Sequence, residues 1–242
     1  MENPLHHFEL HRLIPITLFG FDLSINQAVV MMWLVVAAVA LLFILGGRHR
    51  RLVPMKFQSV VELAVLFLRQ TVLDTMGPKG LVFLPFLIAL FFFILFGNLF
   101  GLLPGAYTVT SQVMVTGVFA LISFLLSFIV GFWYHGPGFL KKIFVPSGVP
   151  LWLLPLLVPI EMVSQLARPV TLAVRLFANM TAGHMVILVF FGLMFSGGLL
   201  VGWLPLGMTV ALYLLEILVA LIQAYVFVVL TCVYVGEAIH LH

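Results

Sequence analysis

An all-α integral membrane protein is the fold class this sequence predicts: five transmembrane helices plus one interfacial amphipathic helix, ending in a long tilted two-helix hairpin. Three observations lead there. Hydrophobic residues make up 64% of the 242-residue chain and charged ones only 8%, whereas a soluble domain is about 45–50% apolar. The mean hydropathy is +1.27. The apolar residues gather into five runs, each long enough for the roughly 20 helical residues that cross a hydrocarbon core of about 30 Å.

Residues 1–24 form an N-terminal segment without the basic start and apolar core of a cleaved signal peptide. The first span, 25–45, is therefore expected to insert the chain and be retained. It stops at Gly46-Gly47, and the basic cluster Arg48, His49, Arg50, Arg51 follows. Over 56–76 the pattern changes, with Lys56, Gln58, Glu62, Arg69, Gln70 and Asp74 alternating with Val, Leu and Phe. That alternation predicts a helix lying on the membrane surface.

The second span, 83–103, ends at Pro104-Gly105, and the third covers 113–134 after a short polar loop. A Gly/Pro-rich basic loop with Lys141 and Lys142 follows. Pro146, Gly148 and Pro150 then make an irregular approach to the fourth span. That span, 156–195, reads as helix despite Pro159 and Pro169, and the fifth covers 206–235. At 1.5 Å per residue these two would be about 45–60 Å long, so they must tilt, kink or overshoot the bilayer. The chain is expected to form one membrane domain without internal repeat, which speaks against an inverted-repeat transporter.

Lys and Arg at 48, 50, 51, 56, 69, 79, 141 and 142 follow the first and third spans, while 104–112 and 196–206 contain none. By the positive-inside rule the N-terminus lies outside and the C-terminus inside. The formal charge of +3 is too small to suggest nucleic acid. Cys232 is alone, so no disulfide framework or thiol pair is available. It is expected to pack, as are the Phe residues of 91–100. His6, His7 and His11 resemble a metal cluster only superficially and, like His240 and His242, are expected in solvent; no metal or cofactor is expected.

The two arginines of the fourth span carry the functional argument. A cation at the centre of a bilayer costs about 2.5–3.5 kcal/mol on insertion scales, so it faces a water-filled path or a partner. Glu161, Arg168 and Arg175 are spaced by sevens, and Asn179 stands four after Arg175. At 100° per residue the first three lie within about 40° of one another, and Asn179 lies about 40° from Arg175. His184 points about 180° away and about 13 Å farther along. Glu216 and Gln223, again seven apart, share a face of the last helix.

If the hairpin turns near residue 200, antiparallel partners sum to about 400. His184 is then level with Glu216, and Arg175 with 223–225. A histidine beside a partly buried carboxyl suits proton passage. An arginine, which does not give up its proton, blocks a continuous proton wire and attracts a carboxylate. Two acid-lined entrances separated by a fixed cation make two half-channels, not a pore. Arg168, followed by Pro169, serves as readily in a local pair as in the site. Asn98 is expected to be a hydrogen bonder in helix packing.

The run 168–184, RPVTLAVRLFANMTAGH, resembles the signature of subunit a of F-type ATP synthases. So do Pro159-Ile160-Glu161, the stretch from Glu216 to Gln223, and the early run from Gly97 to Pro104, GNLFGLLP. The resemblance covers essentially the whole chain. It implies that Arg175 faces a rotating ring of c subunits, with Asn179 and Gln223 around it. Glu161 would belong to a half-channel opening to the cytoplasm, and His184 with Glu216 to one opening outside.

The order of His184 and Glu216 is similar to that of mitochondrial members and their bacterial relatives. A bacterial plasma membrane is favoured, with the mitochondrial inner membrane as the alternative. The implied partners are the c-subunit ring, the peripheral-stalk b subunits, membrane lipid and the transported proton. The subunit itself is expected to be non-catalytic, since no Gly-rich phosphate loop ending in Lys-Ser/Thr occurs. An independent transporter would need a gate and midplane site within this chain. A haem carrier lacks paired axial histidines.

Overall fold

The computed structural model describes residues 12–14, 17–18, 21–22, 24–47, 56–103, 108–139, 153–196 and 202–240. The basic cluster at 48–51, Lys141 and Lys142, most of the irregular approach before the fourth span, the histidines at 6, 7 and 11, and His242 lie outside the described residues. Before the first helix, β1 (Arg12–Ile14) pairs antiparallel with β4 (Ile25–Asn26), and β2 (Thr17–Leu18) with β3 (Phe21–Asp22). The hydropathy pattern assigns no element there. The pairs involve β-branched and aromatic residues that favour extended backbone.

The first apolar run is helix α1, Gln27–Gly47. It carries no charge and packs on the third helix, where Phe43 meets Phe92 edge to face at 5.2 Å. Helix α2, Lys56–Met76, is amphipathic. Val61, Leu68, Val72 and Met76, spaced by seven and fours, are buried on one face. Its exposed side is tied along the helix by Gln58 to Glu62 (2.7 Å) and Gln70 to Asp74 (2.8 Å). Among the described residues, α2 is the one long helix outside the five that are long and apolar enough to cross a membrane.

Helix α3, Leu84–Gly101, follows a 3-10 turn at Pro78–Phe83. Its buried stripe includes Leu87, Leu90, Phe91, Ile94, Gly97, Asn98 and Gly101. Helix α4, Val113–His135, buries small residues instead: Thr116, Ala120, Ser123, Ser127 and Gly131. Small side chains let backbones approach where lipid offers no hydrophobic drive toward association.

Helices α5, Leu154–Ser196, and α6, Trp203–Ile239, form the hairpin, with 43 and 37 residues. They are about 65 and 55 Å long at 1.5 Å per residue, well beyond the hydrocarbon core. Both Pro159 and Pro169 stand inside α5 without ending it. The last helix runs past its expected stop at 235 because Gly236 packs closely instead of terminating. A Cβ there would come within 2.9 Å of the Thr75 carbonyl oxygen on α2.

Helix α6 is the centre of the molecule, packed on α2, α3, α4 and α5. Its second half is the more buried, with Ala224, Phe227, Val228, Thr231, Cys232 and Val235 in the core. The half nearest the hairpin turn shows Leu204, Leu214, Leu215, Leu218 and Leu221 outward. Two polar links fix the bundle. Asn98 donates to the Ala220 carbonyl (3.4 Å) and accepts from the Thr110 hydroxyl (2.7 Å), while Thr231 donates to Ser123 (3.2 Å).

Candidate functional site

The polar residues of the hairpin meet at three levels between α5 and α6. Nearest the turn, Glu216 is buried with 5% exposure, and its carboxyl lies directly on Gly183. A Cβ at Gly183 would stand 2.0 Å from the Glu216 Oε1, so any larger residue there would force the carboxyl to move. His184 follows Gly183 along the helix and is half-buried. The expected level of His184 and Glu216 is thus met to within a residue. Oε1 of Glu216 is buried without a hydrogen-bond partner among the described residues. An unsatisfied buried acceptor is costly unless water or a proton reaches it.

A cleft of about 260 Å³ adjoins this carboxyl, lined by Asn179, Ala182, Gly183, Val186, Leu212, Leu215, Glu216 and Val219. Such a volume has room for several waters, each of which occupies about 30 Å³ in the liquid. The same cleft therefore touches both the acid and the amide of the next level.

One turn farther down α5, Asn179 Nδ2 donates to Gln223 Oε1 at 2.9 Å. Both contacts lie within two residues of the antiparallel register expected from a turn near residue 200. Gln223 bonds to Asn179, one helical turn from Arg175, and not to Arg175 itself. The nitrogen of the same Gln223 amide, Nε2, is buried without a hydrogen-bond partner among the described residues.

Arg175 is exposed, and among the described residues it makes no hydrogen bond or ion pair. It stands in a strip of exposed, mostly small or branched residues: Val163, Ala167, Val170, Thr171, Val174, Ala178 and Ala182. No other element of the described chain covers that strip.

At the far end of the hairpin Arg168 is treated in the opposite way. It forms an ion pair with Glu237 and lies 5.0 Å from the centre of the Tyr234 ring. Glu161 is half-buried and accepts from Gln165 Nε2 at 3.0 Å, so it does not share Arg168 with Glu237. The structure therefore brings together Asn179 with Gln223 and Glu216 with the His184 level. It leaves Arg175 bare and keeps Glu161 apart from the rest.

Sequence reasoning passed over two functional candidates, Glu237 and Gly183. For Glu237 a signal was present: Glu216, Gln223 and Glu237 are all separated by multiples of seven and so share one face of α6. For Gly183 there was none, because its importance depends on the residue across from it. Among the described residues no three His, Cys, Asp or Glu side chains gather as a metal site.

The family model described as ATP synthase A chain matches residues 29–236. The chain is 48% identical over 241 residues to ATP synthase subunit a of Pelagibacter ubique, covering 99% of this chain and 98% of that one. It is 50% identical over 231 residues to ATP synthase subunit a of Acidiphilium cryptum, covering 93% and 92%. With ATP synthase subunit a of Parvibaculum lavamentivorans the identity is 48% over 244 residues, covering 98% and 94%.

Proposed function

The chain belongs to the ATP synthase A chain family, and from that premise we propose that it is the stator proton-channel subunit of a rotary F-type ATP synthase. The carrying observation is the bare Arg175 guanidinium, exposed on a face of α5 that nothing in the described chain covers. A permanent charge within a spanning helix needs a partner or water. A ring of c subunits carrying carboxylates supplies that partner, and the small side chains around Arg175 allow close approach of its helices.

Protons enter from outside through the cleft at Glu216 and the His184 level and neutralise a ring carboxylate. The ring turns, and the carboxyl reaches the second half-channel near Glu161, where it releases its proton to the cytoplasm. Arg175 holds the deprotonated carboxylate between the two and stops protons passing straight through. Asn179 and Gln223, hydrogen-bonded to each other, hold the two helices together on the turn side of Arg175. A charge crossing 100 mV yields about 2.3 kcal/mol, so several are combined for each ATP. The subunit itself is non-catalytic and acts as one membrane domain with α2 at the interface. It sits in a bacterial inner membrane, N-terminus outside and C-terminus inside, with peripheral-stalk b subunits as its other partners.

The test is ATP-driven proton pumping in inverted vesicles carrying Arg175→Ala, with assembly measured by blotting. Pumping is expected to vanish in a fully assembled complex. Normal pumping would make Arg175 structural and end the proposal.

A further inference from the structure

Arg168 and Arg175 are the only two cations of the α5–α6 hairpin sequence. Seven residues apart, they point within about 20° of each other and lie about 10 Å apart along the axis. They share one stripe, yet the fold gives them opposite electrostatic states. Arg175 is exposed and unpaired among the described residues. Arg168 has 24% side-chain exposure, an ion pair with Glu237 and a Tyr234 ring beneath its guanidinium. Both partners of Arg168 come from the last turns of α6, on either side of the Gly236 contact with α2.

We propose that Glu237 neutralises Arg168 so that a passing ring carboxylate meets one unpaired cation, Arg175, and not two. This deepens the reading given above and rests on it. A second bare guanidinium at Arg168 would stand between Arg175 and Glu161, on the route of a carboxyl about to release its proton. It would bind the ionised carboxylate a second time and repel the departing proton. Glu237 is therefore a positioning residue for charge, acting through Arg168 and carrying no proton itself. The Tyr234 face gives the guanidinium a second favourable contact away from the ring, of the cation–π kind.

A structural clamp and a charge neutraliser predict different patterns among three variants. If the pair only clasps the hairpin, Arg168→Gln, Glu237→Gln and the double variant lose the clasp equally. If Glu237 neutralises Arg168, only Glu237→Gln leaves a bare cation. The experiment is ATP-driven pumping in inverted vesicles of the whole complex, normalised to assembled complex, with Arg175→Ala alongside.

Glu237→Gln is expected to lower pumping about tenfold, the scale of a unit charge acting over about 10 Å in an effective dielectric near 20. Arg168→Gln and the double variant should each stay within about twofold of the parent, since neither leaves a second bare cation beside Arg175 and the Glu237 carboxylate freed by Arg168→Gln is half-exposed to solvent. Undiminished pumping by Glu237→Gln overturns the inference. So does a double variant as slow as Glu237→Gln, which would make Glu237 a proton carrier or a fold determinant. Equal loss in Arg168→Gln and Glu237→Gln overturns it in favour of a clasp. If Glu237→Gln fails to assemble, the double variant decides: assembled and active supports the inference, assembled and inactive overturns it. Normal pumping by Arg175→Ala removes the underlying reading and the inference with it, whereas a dead Arg175→Ala beside a normal Glu237→Gln removes the inference alone.

Discussion

A methyl group at Gly183 would stand 2.0 Å from one oxygen of Glu216, whereas at Gly192, on the same helix, it would meet nothing within 4 Å. These two glycines form a matched pair of tests. Alanine is a better helix former than glycine, so neither substitution weakens α5 itself. Gly183→Ala must push the carboxyl out of its place between the helices. We expect proton pumping to fall about tenfold to a hundredfold, up to the low end of what a positioned proton-transfer group contributes. Gly192→Ala should pump as the parent does, and equal activity of the two would remove Gly183 from the site. At this scale the polar members of the candidate site were legible because helical spacing and the cost of burying polar groups in lipid mark them. Arg175, Asn179, Glu216 and Gln223 stand out of an apolar background on those grounds. Gly183 was not legible, since the absence of a side chain acquires meaning only from the acid placed against it.

Helix α6 owes its place to polar and small residues at its contacts more than to its apolar ones, which lipid would accept equally well. Asn98 is wholly buried and reaches from α3 to the Ala220 carbonyl, while Thr110 donates to it. Asn98→Leu deletes both bonds and strands the Thr110 hydroxyl. The expected loss is about 1–2 kcal/mol, the range of interhelical hydrogen bonds in model membrane peptides. It should be read as a lower thermal midpoint of the detergent-solubilised complex, and an unchanged midpoint would mean that Asn98 only fills space. Five helices long and apolar enough to cross a membrane occur in the order that hydropathy alone predicts. Two features did not follow. The bond between Asn179 and Gln223 depends on how far the two side chains reach across the interface, which neither helix's sequence records by itself. The extension of α6 through Gly236 and Glu237 depends on the Thr75 backbone of α2, more than a hundred residues earlier in the chain.

Across the whole molecule, the two ends of the hairpin differ in chemistry, and the proposed direction of proton flow rests on which end faces which side. The end near the turn holds the Glu216 cleft and is joined to a connection without Lys or Arg. The other end holds Glu161, Arg168 and Glu237. Arg69 and Lys79 belong to the connection after the first span and Lys141 and Lys142 to the one after the third, and this asymmetry of basic residues is the argument for the proposed orientation with the Glu161 end inside. A reporter joined after His242 tests this orientation without disturbing the bundle, since α6 ends at Ile239. A green fluorescent protein, which matures in the cytoplasm, should fluoresce there, and an alkaline phosphatase, which needs the oxidising exterior for its disulfides, should stay inactive. Active phosphatase and a dark fluorescent fusion would invert the molecule in the membrane. The Glu216 cleft would then open to the cytoplasm and Glu161 to the outside, and the proposed entry and exit of the proton would exchange places while Arg175 kept its role between them.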